Sequence, residues 1–331
     1  MARAAKLSIA FLTLLSFCSV AVILFRPGLA HELALRAFHW RLEQKDASLA
    51  NERAVVLPKV TFWAWERPED LRFISEPNEG VAFLAKTLYL QPSRSIASEF
   101  HPQSVLVRPR LQPLRIAPGT ILTAVVRIEA SRGAPPDAFF KNAASRSRSS
   151  QSASENQPSP ITNDPRTSSA VQRAAAEISD LQGIPSVRAI QIDFDATVSE
   201  RPFYTALLSA VRRNLPVSMP LSITALASWC IGDPWLESLP AGTIDEAVPM
   251  LFRLGPDAAD VITFLHSGKE FPVASCRASL GLSTDEPLSK ALLNGSIPGA
   301  SPGWRHKRIY VFSPRAQTQP AAQSFLEEWH P

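Results

Sequence analysis

Eight short apolar runs recur from Val60 onward, and helical segments follow most of them. They are 60–66, 81–90, 121–129, 189–196, 221–226, 247–254, 278–284 and 308–313. The helical segments are expected at 68–75, 169–182, 203–214, 234–239, 257–267, 286–293 and 320–329. Alternation of strands with helices calls for a parallel sheet. Eight such units in about 270 residues match a closed α/β barrel of the (β/α)8 TIM type. An open doubly wound sheet is the competing layout. No Gly-rich dinucleotide or phosphate loop follows any run, so that layout lacks its usual ligand signature, and no cofactor is expected. The weakest stretch for the barrel is the Pro-rich segment 91–120, which carries no helical pattern.

The chain divides before and within the barrel. Arg3 and Lys6 precede an apolar run from Leu7 to Phe25, closed by Arg26-Pro27. That length lies between a signal-peptide core and a membrane span, so residues 1–30 are expected to be a signal anchor or a cleaved signal. Either would place the body in the periplasm, tethered to the inner membrane or released from it. Residues 31–59 read as a juxtamembrane helix and linker, and 60–331 as the barrel. Residues 131–168 include SRSRSSQSASENQPSP, a composition that cannot bury apolar area, and are expected to be a disordered insertion.

Charge and cysteine use narrow the partners. The net charge of +4 comes from residues 1–59, which hold eight Lys/Arg and four Asp/Glu; the remaining 26 and 26 cancel. A neutral body argues against nucleic acid as partner. The body has two cysteines, Cys230 and Cys276, and an oxidising compartment permits them to pair. No ligand spacing indicates a metal.

Polar residues at the strand ends define a candidate site, because barrel active sites lie where strands give way to βα loops. The run AIQIDFDAT places Gln191, Asp193 and Asp195 on one face, opposite Ile190, Ile192 and Phe194. To these the other strands add Trp65, Glu66, Thr224, Trp229, Arg253, Asp285, Glu286 and Tyr310. Paired carboxylates suit glycosidic bond cleavage, one as acid and one as nucleophile or base. The expected roles are Asp195 as general acid/base, Asp193 as its electrostatic partner and Asp285 as the second carboxylate. Trp65 and Trp229 would be sugar platforms. Arg253, inside an apolar run, needs an anionic partner, for which an Asp of the fourth run is the first choice.

The motifs FWAWERPEDLRFI (62–74), QIDFDATVSERPFY (191–204), LSITALASWCIGDPWL (221–236), DEAVPMLFRLGPDA (245–258) and SLGLSTDEP (279–287) resemble a bacterial family, domain-of-unknown-function family 3142, over roughly 60–315. The resemblance implies an exported or membrane-attached protein with a glycosidase-like barrel and no assigned reaction. A remoter similarity is to family-18 glycoside hydrolases, whose fourth strand carries Asp-x-Asp-x-Glu. Asp193 and Asp195 match that pattern, whereas Thr197 stands where the acid should be. The expectation is an exported, glycoside hydrolase-like barrel acting on an envelope or extracellular polysaccharide. The alternative is a non-catalytic barrel that binds a glycan or an envelope-assembly partner.

Overall fold

In the computed structural model the described residues are Arg53, 57–92, 102–130 and 165–329. The apolar run 7–25 and most of the Ser-rich insertion, 131–164, lie outside them. Among the described residues no helix is long and apolar enough to cross a membrane.

Eight parallel strands close into a barrel. They are β1 (Val60–Ala64), β3 (Glu79–Pro92), β6 (Ile121–Ala130), β7 (Val187–Asp193), β8 (Leu221–Leu226), β9 (Glu246–Met250), β10 (Ser279–Ser283) and β11 (Arg308–Phe312). Their order around the wall follows the chain, and β1 closes the ring by pairing with β3 on one side and β11 on the other. All eight expected apolar runs are therefore barrel strands. Alternation explains the burial. Ile190, Ile192, Leu221, Ile223, Leu280, Leu282, Ile309 and Val311 face outward under the helices and are at most 2 % exposed.

Among the described residues, helices follow six of the eight strands: α1 (Pro165–Ser179), α2 (Arg201–Asn214), α3 (Ala227–Ile231), α4 (Ala258–His266), α5 (Pro287–Leu293) and α6 (Gln319–Glu327). Each longer helix buries one stripe. In α2 the stripe is Phe203, Tyr204, Leu207, Leu208 and Val211, the spacing of one helical face. Helix α1 starts at Pro165, so the insertion expected over 131–168 gives its last four residues to the helix.

Two expected helices are absent. Segment 68–75 forms a short strand, β2 (Glu69–Leu71), paired in parallel with β5 (Leu114–Ile116). Leu71 and Ile74 are both buried, and their three-residue spacing imitates a helix. The backbone instead pairs with β5, and the buried Glu69 accepts from the Arg67 side chain and the Gln317 backbone N–H. Segment 234–239 retains only a single turn at Leu236–Ser238, bounded by Pro234 and Pro240; the helix after β8 is α3, earlier in the chain.

The Pro-rich stretch 91–120 supplies β4 (Pro102–Pro109), antiparallel to the outer half of β3. β1 accompanies β3 only as far as Phe83. Beyond it, β4 takes over that edge from Lys86 to Pro92. The barrel wall is thus raised on one side, above the rim. Prolines are tolerable there because β4 is an edge strand.

The barrel interior is layered. An apolar layer holds Trp63, Ala82, Val125, Val248 and Tyr310. Gly281 faces it, and a Cβ there would stand 3.1 Å from the Trp63 ring, so the missing side chain makes room for the indole. A polar chain crosses the interior. Trp63 Nε1 donates to Gln191 Oε1 (2.7 Å), Gln191 Nε2 to Ser222 Oγ (3.2 Å), and Tyr310 Oη to Glu246 Oε2 (2.8 Å). Arg308 Nη2 donates to Glu246 Oε1 (2.6 Å).

At the opposite end of the barrel from the raised wall, Arg53 is buried against Asp245, which directly precedes β9, with Nε to Oδ1 at 2.7 Å. The expected linker is therefore docked on the body at this residue. Cys230 in α3 and Cys276, ahead of β10, form a disulfide with their Cα atoms 5.8 Å apart.

Candidate functional site

The strand C-terminal ends surround a cavity of about 560 Å³. This is the end at which barrel enzymes place their chemistry. Asp193 and Asp195 enter it from the end of β7. Between them Phe194 turns away and packs on Tyr204, ring centroids 5.1 Å apart, which fixes the two carboxylates on the cavity side. Asp193 Oδ1 accepts from Thr224 Oγ1 at 2.7 Å, and its Oδ2 lies 3.8 Å from Arg127 Nη1. Asp195 stands at the rim, open to solvent.

Burial decides the protonation of Asp193. Its carboxyl is held up at about 6: loss of hydration is the largest cause, the Thr224 hydrogen bond and the Arg127 charge oppose it, and the nearby Asp195 charge adds to it. Asp195 is raised as well, by partial desolvation in the cavity wall, with Arg127 opposing. Solvent at the rim tempers that effect, so Asp193 is the carboxyl that keeps a proton nearer to neutral pH.

Aromatic rings build the opposite wall. Phe252 and Phe312 stack with centroids 5.2 Å apart, Trp65 meets Phe312 edge-on at 6.3 Å, and Trp63 forms the floor. Arg127 lies 5.8 Å over the Trp65 ring and pairs with Glu129 at 3.1 Å. The turn carrying Trp65 is pinned by Arg110, which donates to the carbonyls of Ala64, Trp65 and Arg67. Glu66 lines the cavity while accepting from the backbone N–H groups of Leu111 and Gln112.

Of the residues expected from the sequence, Trp65, Glu66, Asp193, Asp195, Thr224 and Arg253 line this cavity. Others do not. Gln191 and Tyr310 are interior links of the polar chain below it. Trp229 is 2 % exposed and packs edge-on against Trp235, with Arg201 lying over both rings. Short helix α3 turns this indole inward, so it offers no platform to a ligand. Asp285 accepts from Ser283 Oγ and lines a neighbouring cavity with Lys290 and Arg315. Glu286 accepts from the Arg253 backbone N–H at 3.0 Å.

Arg253 needs a correction. It lies in the loop after β9 rather than in the strand, its side chain is half exposed, and its anionic partner is Asp285 at 3.6 Å, not an Asp of β7. Arg127 of β6 takes the place beside Asp193. Arg253 also adopts φ +52°, a left-handed conformation that costs a residue with a Cβ about 1 kcal/mol. Its guanidinium lies over Phe312 at 5.3 Å. Arg253→Gly is therefore expected to be more stable than Arg253→Ala by about 1 kcal/mol, read from urea midpoints. Equal midpoints would mean that the loop relaxes when the side chain is cut back.

Sequence reasoning missed Arg127, Glu129, Arg108, Phe252 and Phe312, all of which line the cavity. Arg127 and Glu129 had a signal, since they continue the inward face of β6 past Val125. Thr197, where a family-18 enzyme would carry its acid, caps the turn at Val198–Glu200, its backbone N–H held by Glu200 Oε2 at 2.7 Å. Among the described residues no group of three or more His, Cys, Asp or Glu is placed to hold a metal ion.

The stretch from α1 to Arg253 holds β7, β8, β9 and both aspartates. Residues 161–253 match the family described as a domain of unknown function, DUF3142. The DUF3142 stretch thus supplies Asp193, Asp195 and Thr224, and three of the five motifs that carried the resemblance lie wholly or largely within it. The motifs at 62–74 and 279–287 fall outside the match, which is narrower than the 60–315 expected. No curated protein and no solved structure matches this chain. The similarity to family-18 glycoside hydrolases rests on the spacing of Asp193 and Asp195 alone.

Proposed function

We propose that this protein is a carbohydrate-active barrel that cleaves glycosidic bonds in a polysaccharide outside the cytoplasm. One observation carries the reading: a carboxyl that holds its proton up to about pH 6 sits two residues from a solvent-facing carboxylate, in a cleft walled by aromatic rings. Asp193 closes β7 and Asp195 follows it by two residues, and both carboxyls line the same cleft. In this reading the two aspartates take the reverse of the roles expected from the sequence. Asp193 is the proton donor, held by Thr224 and steadied by Arg127, and Asp195 is the ionised partner at the rim. Trp65, Phe252 and Phe312 give the cleft an apolar wall against which a sugar can pack.

The test is reducing-sugar release by the purified protein on a panel of bacterial polysaccharides. A general acid of pKa about 6 is mostly protonated near pH 5 and about 1 % protonated near pH 8. Release is therefore expected to fall roughly a hundredfold between these pH values, and to vanish in Asp193→Asn and Asp195→Asn. Release that is flat with pH, or that survives both substitutions, overturns the assignment.

Thr197 favours a second reading. With its backbone committed to a cap and no carboxyl at that position, the cleft would bind a glycan without cleaving it. Tight binding to one polysaccharide with no sugar release at any pH would support that reading.

A further inference from the structure

The barrel's raised wall carries an unusual row. In the register of β3 with β4, Thr87 stands opposite Arg108; in the register of β3 with β6, Thr87 stands opposite Arg127. β6 continues the row to Asp193 of β7. Arg108, Thr87, Arg127 and Asp193 therefore lie side by side on four adjacent strands, and all four line the main cavity.

The two arginines are not equivalent. Arg127 already has Glu129 and Asp193 as partners. Among the described residues Arg108 has no carboxylate within ion-pair distance, and its buried Nε has no hydrogen-bond acceptor. Its guanidinium lies over the ring of Tyr89, 5.9 Å from the centroid. A guanidinium is a planar fork of five donors matched to carboxylate, sulfate or phosphate oxygens. Leaving it half-buried and unmatched is costly unless a ligand brings the acceptor. From Asp193 to Arg108 there are three strand spacings, about 14 Å, which is room for a reacting unit and a neighbour further along a polymer.

We propose, on the carbohydrate reading above, that the substrate is an anionic polysaccharide, with an oxyanion of a unit next to the reacting one held by Arg108 and Thr87. A uronate carboxylate and a sulfate ester share this chemistry. Neutral chains would leave the Arg108 fork unmatched and bind more weakly. Specificity for charge is then located in β4, the strand grafted onto the barrel's edge, while the bond-breaking groups stand at and just beyond the end of β7.

The experiment measures binding of the purified full chain to four polymers by calorimetry: polygalacturonate, its fully methyl-esterified form, dextran sulfate and dextran. At least one anionic polymer is expected to bind about tenfold more tightly than its neutral counterpart, the worth of one charge-assisted hydrogen bond. Arg108→Met should erase that difference, and Thr87→Val should reduce it in a variant that keeps the guanidinium, so a folding defect in one does not decide the matter. Tighter binding to polygalacturonate assigns a carboxylate, and tighter binding to dextran sulfate a sulfate. Equal binding of charged and neutral forms, or discrimination that survives Arg108→Met, overturns the inference while leaving a carbohydrate site in place. Failure of the folded protein to bind any of the four counts against the carbohydrate reading itself.

Discussion

Asp193→Asn is expected to stabilise the protein by about 3 kcal/mol at pH 7.5 and to leave it no more stable than wild type near pH 3.5. The sign follows from the two pKa values. In the unfolded chain an aspartate titrates near 3.9; in the folded barrel, burial pushes Asp193 up to about 6. Between these values the folded state holds the extra proton, so this group's contribution to stability falls as pH rises from about 4 to about 6. Above pH 6 the ionised carboxylate is buried at a cost of roughly two pKa units, or about 3 kcal/mol. An asparagine carries no such charge. Its amide oxygen can still accept from Thr224, and Arg127 still has Glu129. Thermal or urea unfolding of both proteins from pH 3.5 to 8 checks this. The two stability curves should diverge upward from about pH 4 and run parallel above about 6.5. A variant that is less stable than wild type at pH 7.5 would make Asp193 a structural anchor and remove the basis for its role as proton donor. Stability gained where activity is lost is the signature of a group retained for chemistry.

The barrel itself was legible because its strands are written in two alternating codes. In AIQIDFDAT the isoleucines go under the helices and Gln191 and Asp193 go inward, and similar alternation marks β8, β10 and β11. Strand ends gave the cavity for the same reason, since the inward face of β7 continues into Asp195. Other features depend on partners far away in the chain. β4 has no helical or alternating pattern that separates it from a Pro-rich loop, and only the vacated edge of β3 makes it a strand. Arg108 was invisible as a site residue on that account. Trp229 shows the reverse error. An indole just past a strand looks like a platform, but the short helix that follows β8 decides which way it faces, and it faces Trp235. Arg253 misled because the apolar run 247–254 outlasts the hydrogen-bonded strand, which stops at Met250. Phe252 and Phe312 lie inside the apolar runs 247–254 and 308–313, where the pattern does not separate a cavity wall from plain core; in the fold they line the cavity.

Glu246→Ala is expected to cost about 4 kcal/mol, the largest loss from any single substitution considered for this barrel. Glu246 is fully buried at the start of β9 and receives two bonds, from Arg308 Nη2 at 2.6 Å and from the Tyr310 hydroxyl at 2.8 Å. Tyr310 is held firmly as a neutral donor, its ionisation pushed far up by burial and by the Glu246 charge. Removing the carboxylate takes the Glu246 charge away from a nearly buried guanidinium and the acceptor away from a buried hydroxyl, and it opens a void in the barrel interior. Glu246→Gln separates these contributions. The amide oxygen can still accept one bond and fills the same volume, so the loss should be about half as large. A third variant, Glu246→Leu with Arg308→Met, replaces the charged pair by apolar side chains. It is expected to recover most of the stability lost in Glu246→Ala, because a buried ion pair is strongly destabilising to break and cheap to replace whole. Urea midpoints of the three variants at one pH check the ranking. If Glu246→Ala and the double variant unfold at the same midpoint, the cost lies in packing around Tyr310 rather than in the lost Glu246–Arg308 pairing.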